Sequence, residues 1–367
     1  MKILHTTLIK DFNNASGIVN QMYDEMLAAK LLSHDFEVKI YTQTNLIVNE
    51  KYKELFVFEK VKGKNRLEQW FLLRKNYYTW LLSQEEKIDC YLLRYIAYDP
   101  LQFIFLSKVS KPVFLVHHTK ELEELKLVPK KGYILYLVEK ILGKFSINKA
   151  YGIISVTNEI INYEKNRIND FNKKSILYPN GINFIEFVSK DCRHNVVPEI
   201  LFIASYFFSW HGLDILLDSI KHSNANFILH IVGTLNTTDY IQASSDKRIV
   251  LHGKLEKKQI ESLMERCWVG LGSFALERKN LEEASTLKVR EYLSNGIPVY
   301  SGYKDIFPID FLFYKQGKCE ISNILEFCYK MREFDRLTVL EISRPYIDKT
   351  MLLEKLLISI EATIDAK

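Results

Sequence analysis

Apolar and polar positions switch between two periods along almost the whole chain. Residues 2–7 read as a short strand, and residues 17–32 then take helical spacing, with Met22, Met26, Ala29 and Leu32 on one face. Residues 36–41, 91–94, 113–116, 152–156 and 175–178 are further short apolar runs separated by helix-period segments. Such alternation predicts parallel sheets with helices on both faces. The turn cluster from Pro179 to Asn183 closes this first series. From there to about Pro198 the sequence is polar and irregular, including the run from Ser189 to Asn195, which places a hinge there. A second series follows, with strands at 199–204, 227–232, 249–251, 269–272 and 297–300 and helices at 213–221 and 256–267. Residues 346–364 read as a last amphipathic helix.

A length of 367 residues fits two domains, because single cores rarely grow past about 250–300 residues. The pattern divides the chain into residues 1–185, 186–345 and a C-terminal helical segment 346–367. The expected fold class is α/β, with two Rossmann-like, doubly wound domains. A dinucleotide-binding dehydrogenase is disfavoured: residues 8–16 and a single Gly17 follow the first strand, not a three-glycine fingerprint. There is no P-loop lysine motif either.

Apolar residues make up 47% of the chain and charged ones 26%, which is ordinary for a globular protein. The net charge of +5 comes from Lys and Arg interleaved with Asp and Glu, so nucleic acid is not an expected partner. The first residues turn polar too soon for a signal peptide. No stretch of about 18 apolar residues is present to span a membrane. Cys90, Cys192, Cys267, Cys319 and Cys328 show neither disulfide nor zinc-ligand spacing, which predicts a reducing, cytoplasmic setting.

The most informative stretch runs from Glu283 to Val299. Ser285 or Thr286 can cap a helix there, and Asn295 with Gly296 can end it. The first-turn N–H groups near Thr286, Leu287 and Lys288 then form an anion site between two carboxylates, Glu283 and Glu291. A phosphate cradle flanked by carboxylates that accept sugar hydroxyls suits a nucleotide sugar; two surface glutamates at a chance spacing is the plainer reading.

With Gly296, Ile297, Pro298 and Val299 leading into a strand, this stretch resembles the retaining glycosyltransferases of the GT-B fold, in particular glycosyltransferase family 4. Those enzymes carry two glutamates separated by seven residues just before a Gly-x-Pro-Val strand. The run from Arg278 to Val299 is similar to a bacterial surface-polysaccharide branch of that family. The segment from Phe202 to Asp214 resembles the start of its second domain, and Asn180 to Asn183 resembles its turn at the domain junction.

The resemblance implies two domains facing across a cleft, an acceptor-binding first domain and a nucleotide-sugar-binding second one. The last helix is expected to cross back to the first domain. The implied reaction is transfer of a hexosyl group, with retention, from a UDP- or GDP-sugar to a glycan or polyprenyl-linked saccharide. Capsule, lipopolysaccharide or another bacterial surface polysaccharide would be the product. No metal or other cofactor is implied, and no Asp-x-Asp motif is present. Glu291 is expected to hold the ribose and Glu283 the donor sugar. The backbone N–H groups after Ser285, at Thr286 and Leu287, are expected to hold phosphate. His118, or its neighbour His117, would sit near the reacting carbon, and Gly17 would admit the diphosphate to the first helix. Relatives place an arginine and a lysine in the loop that here carries Ser205 and His211. His211, Arg278 and Lys288 are the candidates to supply that charge. His252 to Lys254 is a candidate to lie beside the base, while His5, His194, His222 and His230 read as structural.

Two basic, aromatic stretches, residues 60–82 and 126–149, suit either buried helix faces or the surface of an anionic membrane. The competing function is a non-catalytic GT-B-shaped partner that binds glycans or stabilises another transferase. A sugar-nucleotide epimerase is a second enzymatic alternative.

Overall fold

The structure, a computed structural model, describes residues 1–10, 15–43, 50–129, 131–184 and 196–366. The run at 189–195, with Cys192 and His194, and Lys130 lie outside the described residues. The chain forms two compact units: Met1–Tyr178 with Lys349–Lys367, and Pro179–Asp348.

Unit 1 runs β1 (Ile3–Leu8), α1 (Ser16–Leu31), β2 (Phe36–Gln43), β3 (Phe56–Glu59), α2 (Arg66–Ser83), β4 (Cys90–Arg94) and α3 (Pro100–Lys108). It continues with β5 (Val113–His117), α4 (Glu121–Lys126), α5 (Gly132–Lys149), β6 (Gly152–Ser155), α6 (Asn158–Ile168) and β7 (Ser175–Leu177). Helix starts are written locally: the side chains of Asn65, Asp99 and Thr157 accept the N–H groups of Glu68, Leu101 and Ile160. The seven strands form one parallel sheet in the order β3-β2-β1-β4-β5-β6-β7.

Unit 2 runs β8 (Glu199–Tyr206), α7 (Leu213–Lys221), β9 (Ile228–Thr234), α8 (Thr237–Ser244), β10 (Ile249–Gly253), α9 (Lys257–Met264), β11 (Val269–Leu271), α10 (Leu287–Ser294), β12 (Val299–Ser301), β13 (Tyr314–Gln316), α11 (Ile321–Met331) and α12 (Arg336–Ile347). Its six strands are parallel in the order β10-β9-β8-β11-β12-β13. The final helix α13 (Lys349–Asp365) belongs to unit 1.

Period-2 alternation sorts each sheet's side chains onto two faces. In unit 1, Ile3, Leu92, Phe114, Val116 and Ile154 join Val19 and Met22 of α1 and Leu353 and Leu356 of α13 in one core. Their neighbours Leu4, Tyr91, Leu93, Leu115 and Ile153 join Leu73, Phe105 and Ile147 of the opposite helical layer in another. Central strands buried on both faces explain why they read as continuous apolar runs. The same arrangement gives unit 2 its core around Phe202, Leu229, Trp268 and Tyr292.

The predicted helix at 346–364 is broken. Asp348, with φ −70° and ψ 119°, separates α12 from α13, and Ile182 N–H donates to Ile347 C=O at 2.9 Å just before it. The helix at 256–267 is shorter than its pattern, because Trp268 N–H already donates to Glu199 C=O as the chain enters the sheet. Strands β3 and β13, both at sheet edges, escaped the sequence reading: β13 is mostly polar, and the short apolar run of β3 is set among lysines and glutamates.

Candidate functional site

Both sheets reverse their winding once, between β1 and β4 in unit 1 and between β8 and β11 in unit 2. Open α/β sheets leave a crevice at the carboxyl ends of the strands at such a point, because successive connections depart in opposite directions. In unit 2 the crevice is bounded by the loop after β8 and the loop that runs from β11 to α10.

These two loops are bonded to each other. Phe274 N–H donates to His211 C=O at 3.0 Å and Ala275 N–H to Trp210 C=O at 3.2 Å. Gly212 turns the first loop at φ +69°, with a Cβ there only 2.8 Å from Phe274 Cβ, so the position favours glycine twice over. Arg278 braces the pair: its guanidinium reaches both carboxylate oxygens of Asp214, at 3.0 and 2.9 Å, and Ser209 C=O at 2.7 Å. Ser205 is exposed at the irregular carboxyl end of β8.

His211 Nδ1 accepts Phe208 N–H at 2.9 Å, which puts the ring proton on Nε2, a donor. Burial, with Lys288 and Lys279 behind it, pushes this imidazole down to about 4, so it is neutral at pH 7. Lys288 is the second residue of α10. Its Nζ is out of water, over the Phe202 ring at 5.1 Å, and has no hydrogen-bond partner. Burial lowers it to about 7 against the pull of Glu291.

The expected caps of α10 are used elsewhere. Thr286 is the N-cap residue, but its side chain makes no cap bond and pairs with Tyr303 Oη at 2.7 Å. Ser285 Oγ instead accepts Asn180 N–H at 3.0 Å, while Asn180 Nδ2 donates to Ser285 C=O at 2.6 Å. The first-turn N–H groups at Thr286 and Leu287 are therefore uncapped by any side chain, as an anion site needs. Gly296, at φ +68°, follows the helix as its pattern suggested.

Glu283 is buried and lies 3.2 Å from Lys304 Nζ, in a bridge that ties its backbone to the segment after β12. Glu291 is exposed on α10, one turn beyond Lys288. Arg290, which the sequence reading passed over, is fully buried. It makes a two-pronged pair with Asp305, both contacts at 2.6 Å, and reaches Asn180 C=O at 3.1 Å. It fixes the orientation of α10. Its sequence signal is its place beside Val289 on the helix's inward face.

In unit 1, alternation separates the two histidines. His117 ends β5 facing α6; its ring stacks on Tyr95 at 4.4 Å, and Nδ1 meets Glu121 at 2.9 Å. Arg167 joins this network through Glu164 at 3.2 Å and Glu139 at 2.5 Å, and Tyr95 Oη donates to Glu139 at 2.6 Å. Among the described residues His117, Glu121 and Glu164 form a group whose ligand atoms lie within 4.8 Å, but the Arg167 guanidinium already supplies its positive charge. His118 turns to the other face, where α1 and α13 bring Glu25 and Lys349. Neither ring nitrogen has a hydrogen-bond partner. Burial, with Arg94, His5 and Lys349 around it, holds its pKa well below the usual imidazole range.

On that face His5 bonds Glu25, which also accepts from Tyr178 Oη at 2.6 Å. Burial opposes ionisation of Glu25, yet His5 and Lys349 outweigh it and hold the carboxyl at about 2. Arg94 and Lys349 were not singled out from the sequence; Arg94 is legible in retrospect as the basic end of a buried strand. Gly17 is exposed in the first turn of α1, where a Cβ would meet nothing within 4 Å, so no local packing requires a glycine. His252 lies within β10 and meets His230 at 3.0 Å, while His230 also meets Glu199 at 2.8 Å.

No family model matches the chain, and no curated protein matches it. Solved structures do. The chain is similar over 99% of its length, and 99% of the other, to a lipopolysaccharide outer core galactosyltransferase, WaaB, with a TM-score of 0.66 at 11% identity. It is similar to HepE of Anabaena, solved in complex with UDP, at a TM-score of 0.65 and 13% identity over 99% of this chain and 100% of that one. A glycosyltransferase from Rickettsia africae matches over the full length of both chains, at 0.63 and 12%. At such identities the likeness establishes the fold: the chain has the two Rossmann-like units of the GT-B class.

Proposed function

We propose that the protein is a retaining glycosyltransferase of family 4 type that moves a hexosyl group from a nucleotide sugar to a glycan or polyprenyl-linked saccharide. The observation that carries this reading is at the β8/β11 switch point, where the uncapped start of α10, the partnerless Lys288 ammonium and a neutral His211 donor converge electrostatically. An anion with several acceptor oxygens satisfies all three at once. A UDP- or GDP-sugar diphosphate is such an anion, and HepE, similar in fold, is solved with UDP and with UDP-glucose.

In this reading Thr286 and Leu287 N–H groups hold phosphate, assisted by Ser285 and Ser205 at the rim. Lys288 and His211 take the place of the arginine and lysine of relatives, while Arg278, paired with Asp214, holds the loops. Glu291 accepts the ribose hydroxyls and Glu283 the donor sugar's. Residues 186–345 bind the donor and residues 1–185 the acceptor. His118 contacts the sugar near the reacting carbon, and Gly17 leaves backbone open to phosphate. During transfer the anomeric carbon–phosphate oxygen bond breaks as the acceptor oxygen bonds to the same face of that carbon. The acceptor proton passes to the departing phosphate oxygen, whose charge Lys288 and the helix start stabilise. No metal is needed for that step. Synthesis of a bacterial surface polysaccharide at the cytoplasmic face of the membrane is the setting that fits a lipid-linked acceptor. No helix among the described residues is long and apolar enough to cross a membrane.

Calorimetric titration with UDP-, GDP- and ADP-sugars, with Glu291→Ala as control, tests the reading. One donor is expected to bind, with affinity lost in the variant. No binding by any donor would favour the non-catalytic partner instead.

A further inference from the structure

Helix α5 is turned inside out. Its buried residues are Gly132, Glu139, Gly143, Ser146 and Ile147, mostly small or polar. Its exposed arc carries Tyr133, Ile134, Leu137, Val138, Ile141 and Phe145, whose relative exposures run from 40% to 70%. A surface helix ordinarily does the reverse.

The cause is visible in the packing. Glu139 is fully buried, where it accepts from Tyr95 Oη, Tyr98 N–H and Arg167. A Cβ at Gly143 would collide with the Arg167 guanidinium and Glu139, so only glycine lets Arg167 cross the helix there. This polar anchor fixes the rotation of α5 and points its apolar stripe to solvent. Water gains nothing from the stripe: six large side chains held out on one helix form a contiguous patch of the kind that marks an interaction site.

Charge identifies what covers it. Lys131, Lys140, Lys144 and Lys149 are exposed along the same helix. The one acidic residue within α5, Glu139, is buried. Just before α5, Leu127 and Val128 add exposed apolar area at 54% and 43%, and Lys126, paired with Glu123 at 2.6 Å, lies beside them. A second copy of the chain would bring two lysine-rich faces together. An acidic lipid surface answers both the apolar stripe and its cationic flanks. We infer that α5 is an interfacial helix that seats this protein on an anionic bilayer, with Ile134, Leu137 and Ile141 entering the acyl boundary and Lys140 and Lys144 meeting headgroup phosphates.

This inference stands apart from the donor site, so a vesicle assay tests it separately from nucleotide binding. The full chain is sedimented with vesicles of pure phosphatidylcholine and with vesicles carrying phosphatidylglycerol. The protein is expected to pellet with the anionic vesicles alone, and less as salt rises. Ile134→Glu with Ile141→Glu should weaken that binding at least tenfold while leaving the circular dichroism melt and donor affinity at wild-type values, since both side chains are exposed. Lys140→Ala and Lys144→Ala should each weaken it by roughly fivefold. Wild-type protein left in the supernatant, or equal pelleting of the double glutamate variant, overturns the inference. So does a dimer in sedimentation velocity that the double variant dissolves while vesicles capture nothing.

Discussion

Two units with the same winding handle buried charge in opposite ways. Unit 1 closes its ionic groups on one another. His117 meets Glu121, Arg167 spans Glu164 and Glu139, and His5 meets Glu25. His118, whose ring nitrogens have no hydrogen-bond partner, is kept uncharged by its surroundings. Unit 2 pairs Arg290 with Asp305 but leaves Lys288, on the same helix, with no hydrogen-bond partner. A buried cation costs free energy unless something answers it. Pairing fixes a framework; an unbonded amine on a helix with an uncapped start is what the proposed donor site offers an anion. The same topology thus carries two arrangements of buried charge, which hydrogen bonding separates where fold comparison does not.

Breaking the framework should have the largest effect. Arg290→Met strands Asp305 in the core and is expected to lower stability by about 3–5 kcal/mol, with nucleotide binding lost alongside. Adding Asp305→Leu should recover most of the stability in denaturant melts but none of the binding, because α10 loses its anchor. Glu139→Gln in unit 1 should weaken the fold yet leave donor affinity intact.

Lys288→Met should move the two readouts in opposite directions. Donor affinity is expected to fall about 10–100-fold, the worth of a charge-assisted bond. The free protein should melt higher by about 2 °C or more, since a desolvated amine is gone. A variant that is destabilised instead, or binds normally, would remove Lys288 from the site.

The third test uses protons. Burial holds Lys288 at about 7 in the free protein, and a bound diphosphate raises it. Above pH 7 the complex then carries more protons than the free protein, so affinity falls as pH rises and binding takes up as much as one proton. Calorimetry at pH 8 in buffers of different ionisation enthalpy measures that uptake, which Lys288→Met should abolish. The smallest effect belongs to Arg278→Ala, where loss of an exposed pair with Asp214 should cost less than about 1 kcal/mol of stability.

Much of this was legible in the chain before folding. Period-2 and period-3.6 runs announce parallel sheets, because strands buried on both faces must be apolar throughout. The stretch from Glu283 to Val299 announces a helix start between carboxylates, because caps and glycine stops are local chemistry. The resemblance of the second half to known transferases, read together with residue type, put forward Arg278, Lys288 and His211 as cations or donors near a phosphate.

What tertiary structure decided is which of these groups are already taken. Ser285 and Thr286 look like caps, yet Asn180 and Tyr303 claim them across 105 and 17 residues of sequence. Arg278, Lys288 and His211 are equal candidates in sequence, and only packing ties Arg278 to Asp214 while leaving Lys288 bare. His117 and His118 are neighbours whose fates diverge because one residue of strand reverses the face. Even the outward stripe of α5 follows from a distant arginine crossing at Gly143. Local periodicity fixes what a segment is; contacts between residues far apart in the chain fix which of its side chains remain available, because each hydrogen-bonding group can be satisfied only once the chain has brought its partner near.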